Sequence, residues 1–187
     1  MGNPRPSDKR ERLIDAARTL FHHQGYGETS LADIARESGV PVGNVYYYFK
    51  TKEDIAAAVI HEHAEYLGEI ARAAEKLPVA RDRIIAMLDR LECNCHEIAD
   101  FGCPMGSFCI EFGKRDTELR EDANRLLLKI LNWVERQLTE MGREDAHELA
   151  IQAVSGIQGS SILALAMRDP GVMRTEVERL KNMVRAL

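Results

Sequence analysis

The spacing of apolar side chains predicts helices along the whole chain. Between residues 7 and 24, apolar residues recur at the three- and four-residue intervals of an amphipathic helix, and Gly25 and Gly27 end the pattern. The residues of this stripe are Leu13, Ala16, Ala17, Leu20 and Phe21. No segment of strand length alternates apolar and polar residues. The predicted fold class is therefore all-α.

Two short helices joined by a tight turn are predicted next. Leu31, Ile34 and Ala35 give the first of them one buried face, and the run Ser-Gly-Val-Pro at 38–41 stops that helix and restarts the chain. The second helix is short and leads with its N-terminus. This pattern is typical of a helix-turn-helix whose second helix lies in the major groove of DNA.

The second short helix carries residue types suited to a nucleic-acid surface. Gly43 and Asn44 are small enough for the backbone to come close to a groove. Side chains suited to phosphates and base edges follow, namely Tyr46, Tyr47, Tyr48, Lys50 and Lys52.

The run LADIARESGVPVGNVYYYFKTKEDI, from Leu31 to Ile55, resembles the helix-turn-helix signature of the TetR family of bacterial transcriptional regulators. The residues that carry the resemblance include Gly39, Gly43, Tyr46, Tyr47, Phe49, Lys50 and Lys52. Val42 departs from the pattern, because such proteins often have a polar or basic residue there. The resemblance implies an N-terminal three-helix helix-turn-helix domain over 1–52 and a C-terminal helical ligand-binding and dimerisation domain over 53–187.

The same resemblance implies a homodimeric repressor that binds a palindromic operator and is released by a small apolar or aromatic effector. It also assigns roles to residues of the helix-turn-helix. Thr29, Ser30, Tyr47, Tyr48, Lys50 and Lys52 are expected to hold phosphates, whereas Val42, Gly43, Asn44 and Tyr46 are expected to face bases or pack beside them. Tyr46 has the alternative of lying wholly in the core.

Helical patterns continue to the end of the chain. Thr51 and Asp54 resemble a capping box, which predicts that a fourth helix starts there and runs to about Leu77. The further predicted helices run from Val79 to about Ala99, from Pro104 to Phe112 with Gly113 closing it, from Asp116 to Met141, from about Asp145 to Met167, and from Pro170-Gly171 to Leu187.

Small residues interrupt the predicted helix over 145–167. Gly156 and Gly159 each cost roughly 1 kcal/mol of helix propensity, so close approach of another helix is expected to compensate for them. In the resembling family the last two helices pair with those of a second subunit. Tight packing within one subunit is the alternative.

The distribution of charge agrees with this layout. The net charge of the 187 residues is −5, but residues 1–52 hold eight Lys or Arg against six Asp or Glu, and residues 53–187 hold seventeen against twenty-four. No apolar stretch is expected to reach the ~18 residues that span a bilayer, and the N-terminus is too charged for a secretory signal. We therefore expect a cytoplasmic protein without a membrane partner.

Four cysteines, Cys93, Cys95, Cys103 and Cys109, fall close together. Their spacing is not that of a zinc finger or ribbon, and disulfides are not the default in the cytoplasm. Cys103 precedes Pro104, so its sulfur would sit at a helix N-cap that favours a thiolate. Gly102-Cys103 with Glu111 also resembles an electrophile-sensing member of the family. The alternative is that the cysteines are small buried hydrophobes.

Aromatic and flexible apolar side chains in the second half could line an effector pocket. The candidates are Tyr66, Met87, Leu91, Met105, Phe108, Phe112, Trp133, Ile157 and Met167. Each of them could instead be core. Such a lining favours an apolar or planar ligand over a sugar or phosphate.

The sequence shows no sign of catalysis or of a cofactor, and no metal site is expected; zinc bound by the cysteines, with His96 nearby, is the alternative. His61-Glu62-His63 lies outside any metalloprotease pattern and is expected on a helix surface. An enzyme and a helical carrier with a vestigial helix-turn-helix are the rival hypotheses. The carrier hypothesis predicts no sequence preference on DNA.

Overall fold

The computed structural model describes residues 6–114 and 118–187, and these residues form helices and no strand, which confirms the predicted all-α class. Ten helices are present in this part of the chain. They are α1 (Pro6–Gln24), α2 (Leu31–Ser38), α3 (Val42–Tyr48), α4 (Lys52–Ala74), α5 (Ala80–Glu92), α6 (Cys95–Phe101), α7 (Pro104–Gly113), α8 (Leu119–Glu140), α9 (Ala146–Met167) and α10 (Pro170–Ala186).

Local sequence signals set the boundaries of α2, α3 and α4. Ser30 and Thr51 form capping boxes with Asp33 and Asp54, as the spacing at Thr51 predicted. Gly39 ends α2 with φ 64° and ψ 21°, a left-handed conformation that glycine adopts without steric cost. The turn between α2 and α3 is therefore fixed by residues that the sequence already marks.

The predicted fifth helix over Val79 to Ala99 is wrong, because the chain forms two helices there. The break is at Asn94, whose φ of −100° and ψ of 4° leave the helical region. Asparagine favours such breaks, because its side chain competes with backbone hydrogen bonds. The fourth helix also ends at Ala74 rather than near Leu77. Asp116, the predicted start of the next helix, lies outside the described residues.

The described residues form three apolar clusters. The first lies among α1, α2, α3, α4, α7 and α8, the second lies mainly among α5, α8, α9 and α10, and a smaller third one joins α6 to α9 and α10. Helix α4 passes from the first cluster into the second, so it connects the two ends of the molecule. Helix α7 packs against α8 and contributes Phe108 and Phe112 to the first cluster.

The small residues of α9 differ in what lies beside them. A Cβ at Gly156 would lie 2.1 Å from Oε1 of Glu176 on α10, so this glycine allows close packing within the subunit. Ser160 and Ser161 are buried and donate to the Ile157 carbonyl. Gly159 differs, because no described atom lies within 4 Å of the position of its Cβ.

The expectation that all of His61-Glu62-His63 lies on the surface is wrong for His63. Its ring lies 5.8 Å from that of Phe108, and no described group accepts from or donates to its buried Nε2. Burial lowers the pKa of His63 from 6.5 to about 4, with Arg18 and His22 adding to the shift.

This lowered pKa predicts a loss of stability in mild acid. The unfolded chain binds a proton at His63 below pH 6.5, whereas the folded chain does so only near pH 4. The contribution of the neutral ring to the free energy of unfolding is therefore complete above pH 6.5 and is lost as the pH falls toward 4. Between pH 7 and 4.5 the free energy of unfolding should fall by roughly 2 kcal/mol more in the parent than in His63→Leu. Urea unfolding at both pH values measures this difference. Equal losses would contradict it.

Candidate functional site

Helix α3 lies on the surface with most of its side chains directed outward. Val45 is fully buried and anchors the helix, together with the following Phe49, in the core of the first three helices. Val42, Tyr46 and Tyr47 are 49%, 51% and 76% exposed, so the alternative core position for Tyr46 is wrong. Gly43 and Asn44 are exposed as well. The result is a protruding helix rich in hydrogen-bonding groups.

Two further residues lie beside this face. Tyr48 is half-buried, and its ring packs edge-on against Tyr47 with centroids 5.0 Å apart. Lys50 is exposed, and its Nζ donates to the Tyr46 carbonyl at 2.8 Å. The ammonium group of Lys50 can turn to a phosphate at the cost of one exposed hydrogen bond. Ser30, at the start of α2, is also exposed.

Lys52 and Thr29 do not have the free polar groups that phosphate contacts require. Lys52 Nζ donates to the carbonyls of Tyr26 at 2.8 Å and Thr29 at 2.7 Å, and it lies 4.2 Å from the centre of the Tyr26 ring. Thr29 is buried, and its hydroxyl donates to the Gly25 carbonyl at 2.8 Å. Both side chains hold the loop between α1 and α2, which corrects the roles predicted for them.

We therefore expect replacement of Lys52 by methionine to lower stability, and replacement of Lys50 by methionine to affect DNA binding instead. Lys52→Met should lower the free energy of unfolding by about 2 kcal/mol, because two carbonyls lose a charged donor. Lys50→Met should leave stability within about 0.5 kcal/mol and reduce the salt dependence of DNA binding by about one phosphate contact. Urea unfolding and binding titrations at several salt concentrations measure both. Equal effects of the two variants on stability would contradict the assignment.

Helix α7 links this end of the molecule to the rest. The Glu111 carboxylate accepts from the backbone N–H of Tyr26 at 3.2 Å and of Gly27 at 3.0 Å. Phe108 and Phe112 pack with Phe21 and Tyr26. These contacts were not predicted, because residues about 85 positions apart in sequence leave no local pattern. Motion of α7 would act directly on the α1–α2 loop.

A cavity of about 150 Å³ lies among α4, α5, α8, α9 and α10, next to the start of α7. Its walls are predominantly apolar, and the candidates Tyr66, Met87, Leu91, Met105 and Ile157 line it. Its polar groups, Arg90, Asn94 and Gln158, could not be predicted, because nothing in the sequence distinguishes them from other polar residues of amphipathic helices. Arg90 donates to the Tyr66 hydroxyl at 2.9 Å.

The remaining pocket candidates lie elsewhere. Phe108 and Phe112 are buried in the core shared by α1 and α7. Trp133 lines a separate groove between α4 and α8, where its Nε1 donates to Glu75 at 2.9 Å. Met167 is exposed at the end of α9. Their apolar character reflects packing at other places, which composition alone cannot distinguish from a pocket lining.

The four cysteines have different surroundings. Cys103 is the N-cap residue of α7, as predicted, and it lines the cavity, where Gln158 Nε2 donates to its Sγ at 3.5 Å. Cys93 is exposed. Burial raises the pKa of the Cys95 and Cys109 thiols, which keeps them protonated at neutral pH. Cys103 is thus the cysteine placed beside a candidate ligand site.

Helix α9 carries a large apolar surface. Ile151, Ile162 and Leu163 are 43%, 61% and 56% exposed along it. By length and composition, α9 could cross a membrane, and within the described residues it is the one helix that could, with 22% of its most apolar window buried. The expectation that no apolar stretch would reach this length is therefore wrong. An apolar face of this kind on a packed domain indicates an interaction surface.

Comparison with known proteins relates both halves of the chain to one group of regulators. Residues 13–59 match the family profile described as bacterial regulatory proteins, tetR family, and residues 80–178 match that of the LmrA/YxaF-like transcriptional regulator C-terminal domain. The chain is 32% identical over 168 residues to the HTH-type transcriptional regulator LmrA of Bacillus subtilis, covering 87% of this chain and 89% of LmrA.

Solved structures show the same fold. A TetR transcriptional regulator from Legionella pneumophila superimposes with a TM-score of 0.85 at 22% identity, covering 98% of this chain and 99% of that one. The reduced form of Escherichia coli NemR superimposes with a TM-score of 0.75 at 20% identity, covering 94% and 97%.

Proposed function

The chain belongs to the TetR family of bacterial regulatory proteins and is a DNA-binding transcriptional regulator, and on this premise we propose that it is a homodimeric, cytoplasmic repressor released from a palindromic operator by a compact apolar ligand. The observation that carries the proposal is the exposed face of α3, which presents Gly43, Asn44, Tyr46 and Tyr47 outside the core. A helix held in this way can enter the major groove without unfolding any part of the domain.

A binding titration tests this first part of the proposal. DNA flanking the protein's own gene is labelled, and the purified full chain is added in the presence of excess random duplex. Binding that survives the competitor supports an operator-binding repressor. Equal affinity for every duplex would instead favour the rival helical carrier.

The exposed apolar face of α9 supports a homodimer. Gly159 leaves open space beside Leu163, so the backbone of a second helix can approach closely there. A two-fold axis at this face would pair α9 and α10 of one subunit with those of its partner and place two α3 helices on one side. Two such helices would read the two half-sites of a palindrome.

The cavity supports a small effector. Its volume of about 150 Å³ matches that of an apolar cavity known to accept one aromatic ring. Met87 and Met105 are flexible enough to admit a somewhat larger ligand by changing rotamer. Arg90, Gln158 and Asn94 supply polar contacts for one hydroxyl or carbonyl group. We therefore place the effector class at single-ring aromatic or compact apolar compounds.

Helix α7 connects the cavity to the DNA-binding end of the molecule. Cys103 and Met105, at its start, line the cavity, whereas Glu111 and Phe112, near its end, hold the α1–α2 loop. A ligand that binds more tightly when α7 is displaced would shift the dimer to a spacing of α3 helices that does not fit the operator. A ligand with equal affinity for both arrangements would have no effect.

Filling the cavity should remove the response to effector while preserving DNA binding. Ala153 lines the cavity, and Ala153→Phe places a phenyl ring in it. For a single-ring aromatic that releases the parent protein, we expect the concentration needed for release to rise at least about 10-fold. Ala73→Phe, at an exposed position of α4, is the control. An unchanged response of Ala153→Phe would place the effector elsewhere.

The position of Cys103 in the cavity wall favours a second candidate, control by electrophiles. Its thiolate would add to an activated alkene, forming an S–C bond while the neighbouring carbon takes a proton. Operator release by a maleimide should then be lost in Cys103→Ser and kept in Cys93→Ser, which removes the exposed cysteine. Release that persists in Cys103→Ser would exclude Cys103 as the sensor.

A further inference from the structure

Three potential metal ligands meet where α1 and α6 come together. His22 and His23 end α1, and Glu97 lies on α6. One ligand atom from each of them lies within 4.8 Å of the other two. His22 Nδ1 and Glu97 Oε1 are 3.4 Å apart, close to the edge of a tetrahedron with metal–ligand bonds of about 2.1 Å.

The surroundings hold both histidine rings in place. His22 Nε2 lies 2.8 Å from the Gly102 carbonyl, which can only accept, so this nitrogen carries a proton. In the neutral ring the lone pair of Nδ1 then lies on the side of Glu97. A backbone carbonyl at the far nitrogen is the usual second partner of a histidine that binds a metal. The His23 ring stacks on Phe101, with centroids 3.8 Å apart.

The cluster combines a shielded side with an open one. The His22 side chain is 10% exposed, whereas that of Glu97 is 57% exposed. An ion could therefore enter from solvent and keep water in its remaining positions.

We propose that His22, His23 and Glu97 form a binding site for one divalent ion of the zinc, cobalt or nickel type. Two imidazoles and one carboxylate suit such borderline ions better than calcium or magnesium, which prefer sets of oxygen ligands. No metal site was expected from the sequence, because two adjacent histidines alone do not have the spacing of a metal-binding motif. Because the ligands come from α1 and α6, the ion joins the DNA-binding end to the cavity end. The site does not depend on the proposed effector or operator.

Cobalt binding to the tag-free full chain tests the site. Titration with Co²⁺ should saturate at one equivalent. The absorption spectrum of the complex should lack the near-ultraviolet band that thiolate coordination gives. His23→Gln and Glu97→Gln should each weaken binding at least about 10-fold. His22 is left unchanged, because its bond to Gly102 could also support the fold.

Two controls separate this site from other metal-binding groups. His147→Gln removes a histidine from an exposed pair with Glu135, at 2.9 Å, which no third ligand joins among the residues that the structure describes. Cys93→Ser removes the exposed thiol. Both controls should bind Co²⁺ as the parent does. Absence of saturable binding, binding unaffected by both cluster variants, or a thiolate band lost in Cys93→Ser would overturn the proposal.

Discussion

Replacing Gly43 by glutamate is expected to weaken operator binding at least about 100-fold and to leave the free energy of unfolding within about 0.5 kcal/mol of the parent value. Apart from the adjoining residues and the nearby backbone of α3 itself, no described atom lies within 4 Å of the position that a Cβ would take, so the free protein accommodates the new side chain in solvent. On DNA, the same side chain would bring a negative charge against phosphates and keep the backbone of α3 from the groove.

Two controls isolate the cause of this loss. Gly43→Ala adds a methyl group without charge and should bind DNA much more tightly than Gly43→Glu. Ala73→Glu adds the same charge at an exposed position near the far end of α4 and should bind as the parent does. Titration with labelled operator measures affinity, and urea unfolding measures stability. Retained affinity in Gly43→Glu would show that α3 does not approach DNA.

Replacing Ile162 by arginine is expected to convert the proposed dimer to monomers and to weaken operator binding at least about 100-fold. Ile162 is 61% exposed in the single chain, so the arginine costs the monomer little. In the proposed dimer it would place a charge in an apolar interface without a partner. A monomer engages one half-site and loses the gain in affinity that comes from linking two.

Ile110→Arg is the matched control, because Ile110 is 59% exposed and lies on α7, a different helix from the one that carries the proposed interface. Light scattering gives the mass of each variant in solution. We expect the mass of one chain for Ile162→Arg and of two chains for the control. A dimer that persists in Ile162→Arg, with unchanged DNA affinity, would move the interface to another surface.

Features controlled by neighbouring residues could be predicted from the sequence. The helices, the capping box at Thr51 and the turn at Gly39 depend on contacts within a few positions, and the helix-turn-helix combines such signals. The exception is the break at Asn94, where an apolar pattern continues through a residue that leaves the helix. Periodicity records which face is buried and not whether the helix is continuous.

Features that depend on distant contacts could not be predicted. Lys52 resembles a phosphate-binding residue until the Tyr26 and Thr29 carbonyls are seen around its ammonium group. Phe108 and Phe112 resemble pocket residues, yet they pack against α1 across a long sequence separation. Several apolar residues that line the cavity could be predicted from composition, but the polar groups in its wall could not.

Hydroxyl-radical footprinting of the parent chain and of Gly43→Glu would show whether the two α3 helices of one proposed dimer read duplex DNA. On DNA flanking the gene, we expect two protected half-sites related by two-fold symmetry, centred about one helical turn or a multiple of it apart, and their loss in Gly43→Glu. If the parent protected no site at low ionic strength, or if Gly43→Glu gave the same protection, α3 would not be the DNA-reading helix.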